Sequence, residues 1–181
     1  MKKKRIFLAV IILIWIGIAV FLIASKQMTL STGTRVVLQT RPVDPRDLLR
    51  GDYVVLNYEI TNLNFGKLGI RKERHYKPGE TLYIQLEKKG KYWSAVDIKE
   101  KKDRDKGKLY IKGKIKRSYG HELTLHYGIE SYFVPEGEGK AIEKSMRGVE
   151  KSPVTVEVYI SDSGSAVIKR LFIDNQPVTF K

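Results

Sequence analysis

Nineteen consecutive residues, Ile6 to Ala24, carry no charge and no strongly polar group. Beyond Ser25 the pattern changes. Apolar residues come in short runs, mostly alternating with polar ones, between turns that carry Gly, Asp or Pro. A helix of nineteen residues spans about 28 Å, close to the ~30 Å hydrocarbon core of a bilayer. A cleaved signal peptide has a shorter apolar region and small residues before the cut. Here Leu22 stands where a cut after Ala24 would need a small residue. The run reads as an uncleaved single-pass anchor.

The alternating part predicts nine strands: 34–40, 52–61, 81–87, 92–99, 108–117, 122–133, 154–160, 166–174 and 177–180. Segment 52–61 is apolar on both faces, with Tyr53 and Val55 on one and Val54, Leu56, Tyr58 and Ile60 on the other. That marks a buried strand rather than an edge. Asp44-Pro45-Arg46-Asp47 has the cap and first-turn residues of a short helix running through Leu48-Leu49 to Gly51. A second short helix is expected within Glu136–Gly148. The fold class is therefore mainly β: one N-terminal transmembrane helix, then one antiparallel sandwich or barrel with one or two short helices. The absence of βαβ alternation excludes a doubly wound nucleotide fold. We divide the chain into a basic flank and anchor (1–24), a linker (25–33) and a β-rich domain (34–181).

Charge orients the anchor. Lys2, Lys3, Lys4 and Arg5 precede the apolar run, whereas Lys26, Arg35 and Arg41 follow it sparsely. The dense cluster belongs in the cytoplasm, which puts residues 25–181 on the extracytoplasmic side of the cell membrane. The whole chain has 34 Lys+Arg and 20 Asp+Glu, so about +10 remains outside once the four leading cations are set aside. A basic surface suits anionic headgroups or an anionic envelope polymer. No nucleic-acid motif is present, and nucleic acid is not expected as a partner.

Chemistry has few candidates. The chain has no Cys and three His, so disulfides, thiol nucleophiles and Cys-bearing zinc sites are excluded. No cofactor or metal is expected. On one straight strand His126 and Glu130 would stand about 13 Å apart at ~3.3 Å per residue, too far to share a metal unless Gly128 bends the chain. Gly137-Glu138-Gly139-Lys140 lacks the Ser/Thr of a phosphate loop, because Ala141 follows. Glu130 lies within YGIESYF, and a carboxylate among apolar residues needs a partner such as Arg50 or Arg147. A pair of carboxylates such as Glu130 and Glu136 would be required for hydrolysis, but no local spacing forces any two acids together.

Two resemblances attach to residues 50–58. Arg50-Gly51-Asp52-Tyr53-Val54-Val55-Leu56 resembles the Gly-Asp strand start of signal peptidase-type barrels, which are also anchored by an N-terminal helix. The family's nucleophilic serine would fall at Val43, so its catalysis is not implied. The fuller match is to the uncharacterised GDYXXLXY family of membrane-anchored proteins. Gly51, Asp52, Tyr53, Leu56 and Tyr58 fill all five fixed positions. Pro42–Arg46 and Ser131–Gly137 also resemble family blocks. The resemblance implies an extracytoplasmic domain, often encoded near polytopic membrane proteins, and brings no catalytic residues with it.

The expected function is a non-catalytic binding or accessory module, engaging another membrane protein. The alternatives are a binder of anionic envelope polymer or lipid headgroups, and an envelope hydrolase using a carboxylate pair. The motif residues Gly51, Asp52, Tyr53, Leu56 and Tyr58 are expected to serve folding first. A binding site, if built around them, would use Arg50, Asp52, Tyr58, Glu130 and Glu136.

Overall fold

Strand patterning dominates, and the computed structural model follows it. It describes residues 2–41, 53–71, 75–103, 107–135 and 154–179. The apolar run lies within a helix, α1 (Lys2–Thr32). Residues 25–32, assigned to a linker from sequence, continue that helix, and Gly33 alone separates it from β1 (Thr34–Arg41).

Two five-stranded antiparallel sheets nearly close into a barrel. After β1 come β2 (Tyr53–Val55), β3 (Asn57–Tyr58), a 3-10 turn (Glu59–Thr61) and β4 (Asn62–Asn64). Then follow β5 (Thr81–Lys89), β6 (Tyr92–Lys99), β7 (Leu109–Tyr119), β8 (Glu122–His126) and β9 (Ser131–Phe133). β10 (Val154–Ile160), β11 (Ala166–Ile173) and β12 (Gln176–Pro177) complete the series. The first sheet has the order β12-β11-β10-β1-β3, the second β4-β8-β7-β5-β6, and β2 pairs with β9 between them.

Alternation places the core as expected. Leu82, Ile84 and Leu86 of β5 point inward, as do Val36 and Leu38 of β1 and Val154, Val156, Val158 and Ile160 of β10. Two expectations change. Segment 52–61 is not one strand. From Tyr53 onward it serves β2, β3 and the 3-10 turn, and β4 extends it, so its parts pair in turn with β9, β1 and β8. It is apolar on successive residues because it passes through the seam between the sheets. Segment 122–133 also breaks, at Tyr127–Glu130, into strands of different sheets. The short helices expected near 44–49 and 136–148 lie outside the described residues, as do Gly51 and its expected corner.

The outer face of the first sheet holds a buried carboxylate between two exposed arginines. Glu157 of β10 is 5% exposed. It accepts from Arg35 of β1 at 2.9 Å and lies 3.7 Å from Arg170 of β11. A buried carboxylate needs such partners, and here they come from the strands on either side.

Gly33 couples helix to barrel. Its N–H donates to the Thr29 carbonyl at 3.0 Å. A Cβ here would run into that same oxygen and meet the Ile160 carbonyl at 3.0 Å. Both obstacles are backbone, which cannot swing aside as a side chain can. Thr29, in the last turns of α1, is buried against the barrel. Gly33→Val should therefore destabilise the barrel by about 1–3 kcal/mol, the usual range for overpacking. Thermal unfolding of the full chain in detergent checks this, and an unchanged midpoint would remove the close-packed junction.

Candidate functional site

The motif strand and the 127–130 turn hold each other. Tyr58 is fully buried, and its hydroxyl donates to the Ile129 carbonyl at 2.6 Å. In return the buried Tyr127 hydroxyl donates to the Ile60 carbonyl at 2.6 Å. The Leu56 N–H donates to the Glu130 carbonyl at 2.7 Å. Each segment thus satisfies backbone groups of the other where neither has a ladder partner. Burial, and secondarily the nearby Glu130 charge, pushes both the Tyr58 and the Tyr127 hydroxyl well above the ordinary tyrosine value.

Glu130 closes the turn from within. Its carboxylate accepts from the Tyr127 N–H at 2.5 Å and the Gly128 N–H at 2.9 Å. It also lies 3.1 Å from His126 Nε2. The straight-strand separation of about 13 Å is therefore wrong for this pair. Gly128 adopts φ +80°, which bends the chain out of the straight strand and brings Glu130 to His126. The partners found for this carboxylate are local amides and an exposed imidazole. Arg50 and Arg147, the cations expected from sequence, lie outside the described residues. So do Asp52 and Glu136, and a joint site of Arg50, Asp52, Tyr58, Glu130 and Glu136 is not assembled among those described. Of these five residues the structure brings together Tyr58 and Glu130. Of the remaining motif residues, Leu56 is buried beside Tyr58 in the core, Tyr53 begins β2, and Gly51 is not described. His121 lies in the turn between β7 and β8, just before the strand that carries His126.

Two surface concavities have lining chemistry that the sequence reading missed. A cleft of about 270 Å³ opens over β4 and β8. Arg41, Glu59, Asn62, Asn64, Lys67 and Glu122 supply its polar groups, and Leu63, Leu68 and Ala95 contribute apolar surface. Its signal in the sequence is the amide-rich stretch Thr61-Asn62-Leu63-Asn64. A second groove, about 450 Å³, carries Lys26, Lys112, Lys114 and His126. Its signal was lysine at every second position from 112 to 116, one face of a single strand. Among the described residues, no three His, Asp or Glu side chains form a group that could hold a metal ion.

A family profile matches residues 15–171, described as GDYXXLXY protein. The chain belongs to that family. No curated protein and no solved structure matches it. The family motif now has a partial physical account: Leu56 and Tyr58 are core residues, and Tyr58 ties the barrel seam.

Two outcomes follow. Tyr58→Phe leaves the buried Ile129 carbonyl without its donor and should cost about 1–3 kcal/mol, and Glu130→Gln should cost a similar amount by weakening the turn. Urea unfolding of the full chain in detergent reads both. The raised tyrosines also set the alkaline limit. A hydroxyl whose folded value exceeds its unfolded value near 10 contributes stability that is complete below about pH 10 and is lost as pH rises toward the folded value. Stability should fall above about pH 10, with a shallower fall in Tyr58→Phe. Phenolate absorbance during alkaline titration checks this, and ionisation of all ten tyrosines before unfolding would contradict it.

Proposed function

We propose that the protein is a single-pass, membrane-anchored binding module, without catalysis, whose barrel stands outside the cytoplasmic membrane and engages another membrane protein. The observation that carries this reading is the exposed helix. Ile6–Thr32 has a mean hydropathy of 3.3 in its most apolar stretch, none of which is buried against the barrel. So much bare apolar surface is stable only in an apolar solvent. The cationic Lys2–Arg5 flank supports a cytoplasmic N-terminus. The rigid passage from helix to β1 gives the barrel a set height and tilt. The 270 Å³ cleft, with Arg41 at the end of β1 remote from the helix, offers mixed charges and amides over apolar surface. That composition suits the polar loop of a neighbouring membrane protein better than a purely apolar or purely anionic ligand.

A reporter fused after Lys181 should be active only outside the cell, and the full-length chain should resist alkaline carbonate extraction. A photo-reactive residue at Lys67 should then give an adduct with a multi-spanning protein in the washed membrane pellet. Release of a shortened soluble form would refute the anchor. An anchored chain whose adducts are all soluble proteins or polymer would refute the partner.

One observation favours a second reading, a hydrolase using a carboxylate pair. Glu59 and Glu122 line the same cleft. Loss of the cellular phenotype in both Glu59→Gln and Glu122→Gln, without loss of thermal stability, would select it over the binding module.

A further inference from the structure

The second groove lies at the bilayer end of the barrel. Lys26 follows Ala24, the last residue of the uncharged run, by two positions, about 3 Å along a helix axis. Ser25, Lys26, Met28 and Thr29 line one hollow together with Asp162, Ser163 and Ser165 of the turn between β10 and β11. That turn is therefore level with the helix exit. It also reaches β7, because the Lys112 N–H donates to the Gly164 carbonyl at 2.9 Å. Thus the barrel sets strand β7 beside the point where α1 leaves the apolar layer.

The lining of the groove is cationic. Lys112 and Lys114 are exposed on the same face of β7, and Lys114 is flanked in register by Thr81 and His126. With Lys26 and Ser165 they surround about 450 Å³, a volume within the range of small-ligand sites. Gly79, Gly113 and Gly128 also line it and contribute no side-chain bulk. Among the described residues no carboxylate lines the groove, although Glu130 behind its wall contacts His126 and Gly128, and none forms a salt bridge with Lys26, Lys112 or Lys114. Three ammonium groups around an open pocket repel one another unless an anion joins them. The phosphodiesters of the lipid headgroups are the anionic groups that a bilayer presents at that height.

We propose that this groove binds the phosphodiester headgroup of an anionic lipid from the bilayer that holds α1. The lysines supply charge, and Thr81 and Ser165 supply hydroxyl donors. The bound lipid would tether the barrel at a second point and fix its rotation about the helix axis. This inference rests on the anchored reading above, but not on the identity of the protein partner.

The test uses the full chain in nanodiscs of phosphatidylcholine alone or mixed with phosphatidylglycerol, with acetylation rates of individual lysines read by mass spectrometry. Lys26, Lys112 and Lys114 should react roughly fivefold more slowly in the anionic discs, the scale of one juxtamembrane cation contact. Lys88 and Lys89, beside the β5–β6 turn, should not change. That turn lies near the β11–β12 turn, to which Lys91 is hydrogen-bonded through Asn175, at the end of β11 remote from α1. The double variant Lys112→Gln/Lys114→Gln should retain its melting temperature yet lose the protection of Lys26. Equal rates in both discs, or equal slowing at Lys88 and Lys89, would overturn the site while leaving the anchor intact. Slowing by soluble polyglycerol phosphate in neutral discs, without an effect of phosphatidylglycerol, would replace the lipid with an envelope polymer. A chain that does not enter the discs would overturn both this inference and the anchored reading.

Discussion

Where a strand leaves one sheet before entering another, its amide and carbonyl groups have no ladder partner, yet in this barrel they are buried away from water. Each group left unpaired would cost about 1–3 kcal/mol. The seam between Leu56–Ile60 and Tyr127–Glu130 meets this constraint with two tyrosine hydroxyls, one backbone N–H and one carboxylate. Both tyrosines fill core volume with their rings and place the hydroxyl on a carbonyl of the opposite segment. Phenylalanine could do the first but not the second. The Tyr58 of the family motif is thus a residue of the barrel seam.

The same seam shapes the surface. Because 53–64 pairs with three partners in turn, Asn62 and Asn64 reach the edge of the second sheet and Glu59 is brought to the same cleft as Glu122. Where Gly128 bends the chain, His126, Tyr127 and Gly128 line the groove that holds Lys114. Two concavities of unlike chemistry result. The one containing Lys26 is cationic and adjoins the helix exit. The one containing Arg41 lies at the other end of β1 and mixes charges with amides. A membrane-anchored module with a lipid-facing side and a protein-facing side is consistent with that division.

Rigidity at Gly33 gives the division meaning. A flexible linker would let either concavity turn toward any partner. Here the helix runs to Thr32, its last turns pack on the barrel, and the glycine is pressed between two backbone carbonyls. The orientation of the barrel then follows the tilt of α1.

The sequence by itself determined the apolar helix, the family, the mainly β class and the inward face of most strands. These rest on local signals: an uninterrupted apolar run, five spaced motif residues, and alternation along Leu82, Ile84 and Leu86 that is independent of which strand lies alongside. In the broken segment 52–61 the sequence grouped Val54, Leu56, Tyr58 and Ile60 on one face, but which face is inward was not legible because both faces are apolar. Only the tertiary structure decided that the chain from Tyr53 to Asn64 serves three different pairings, that Gly128 bends the chain so that Glu130 meets His126, and that Lys26 shares a groove with Lys112 and Lys114. Hydrophobic pattern records which side of a strand is dry. The sign of a glycine φ, the neighbour across a seam and the meeting of residues far apart in sequence are set by how the two sheets pack together into the nearly closed barrel.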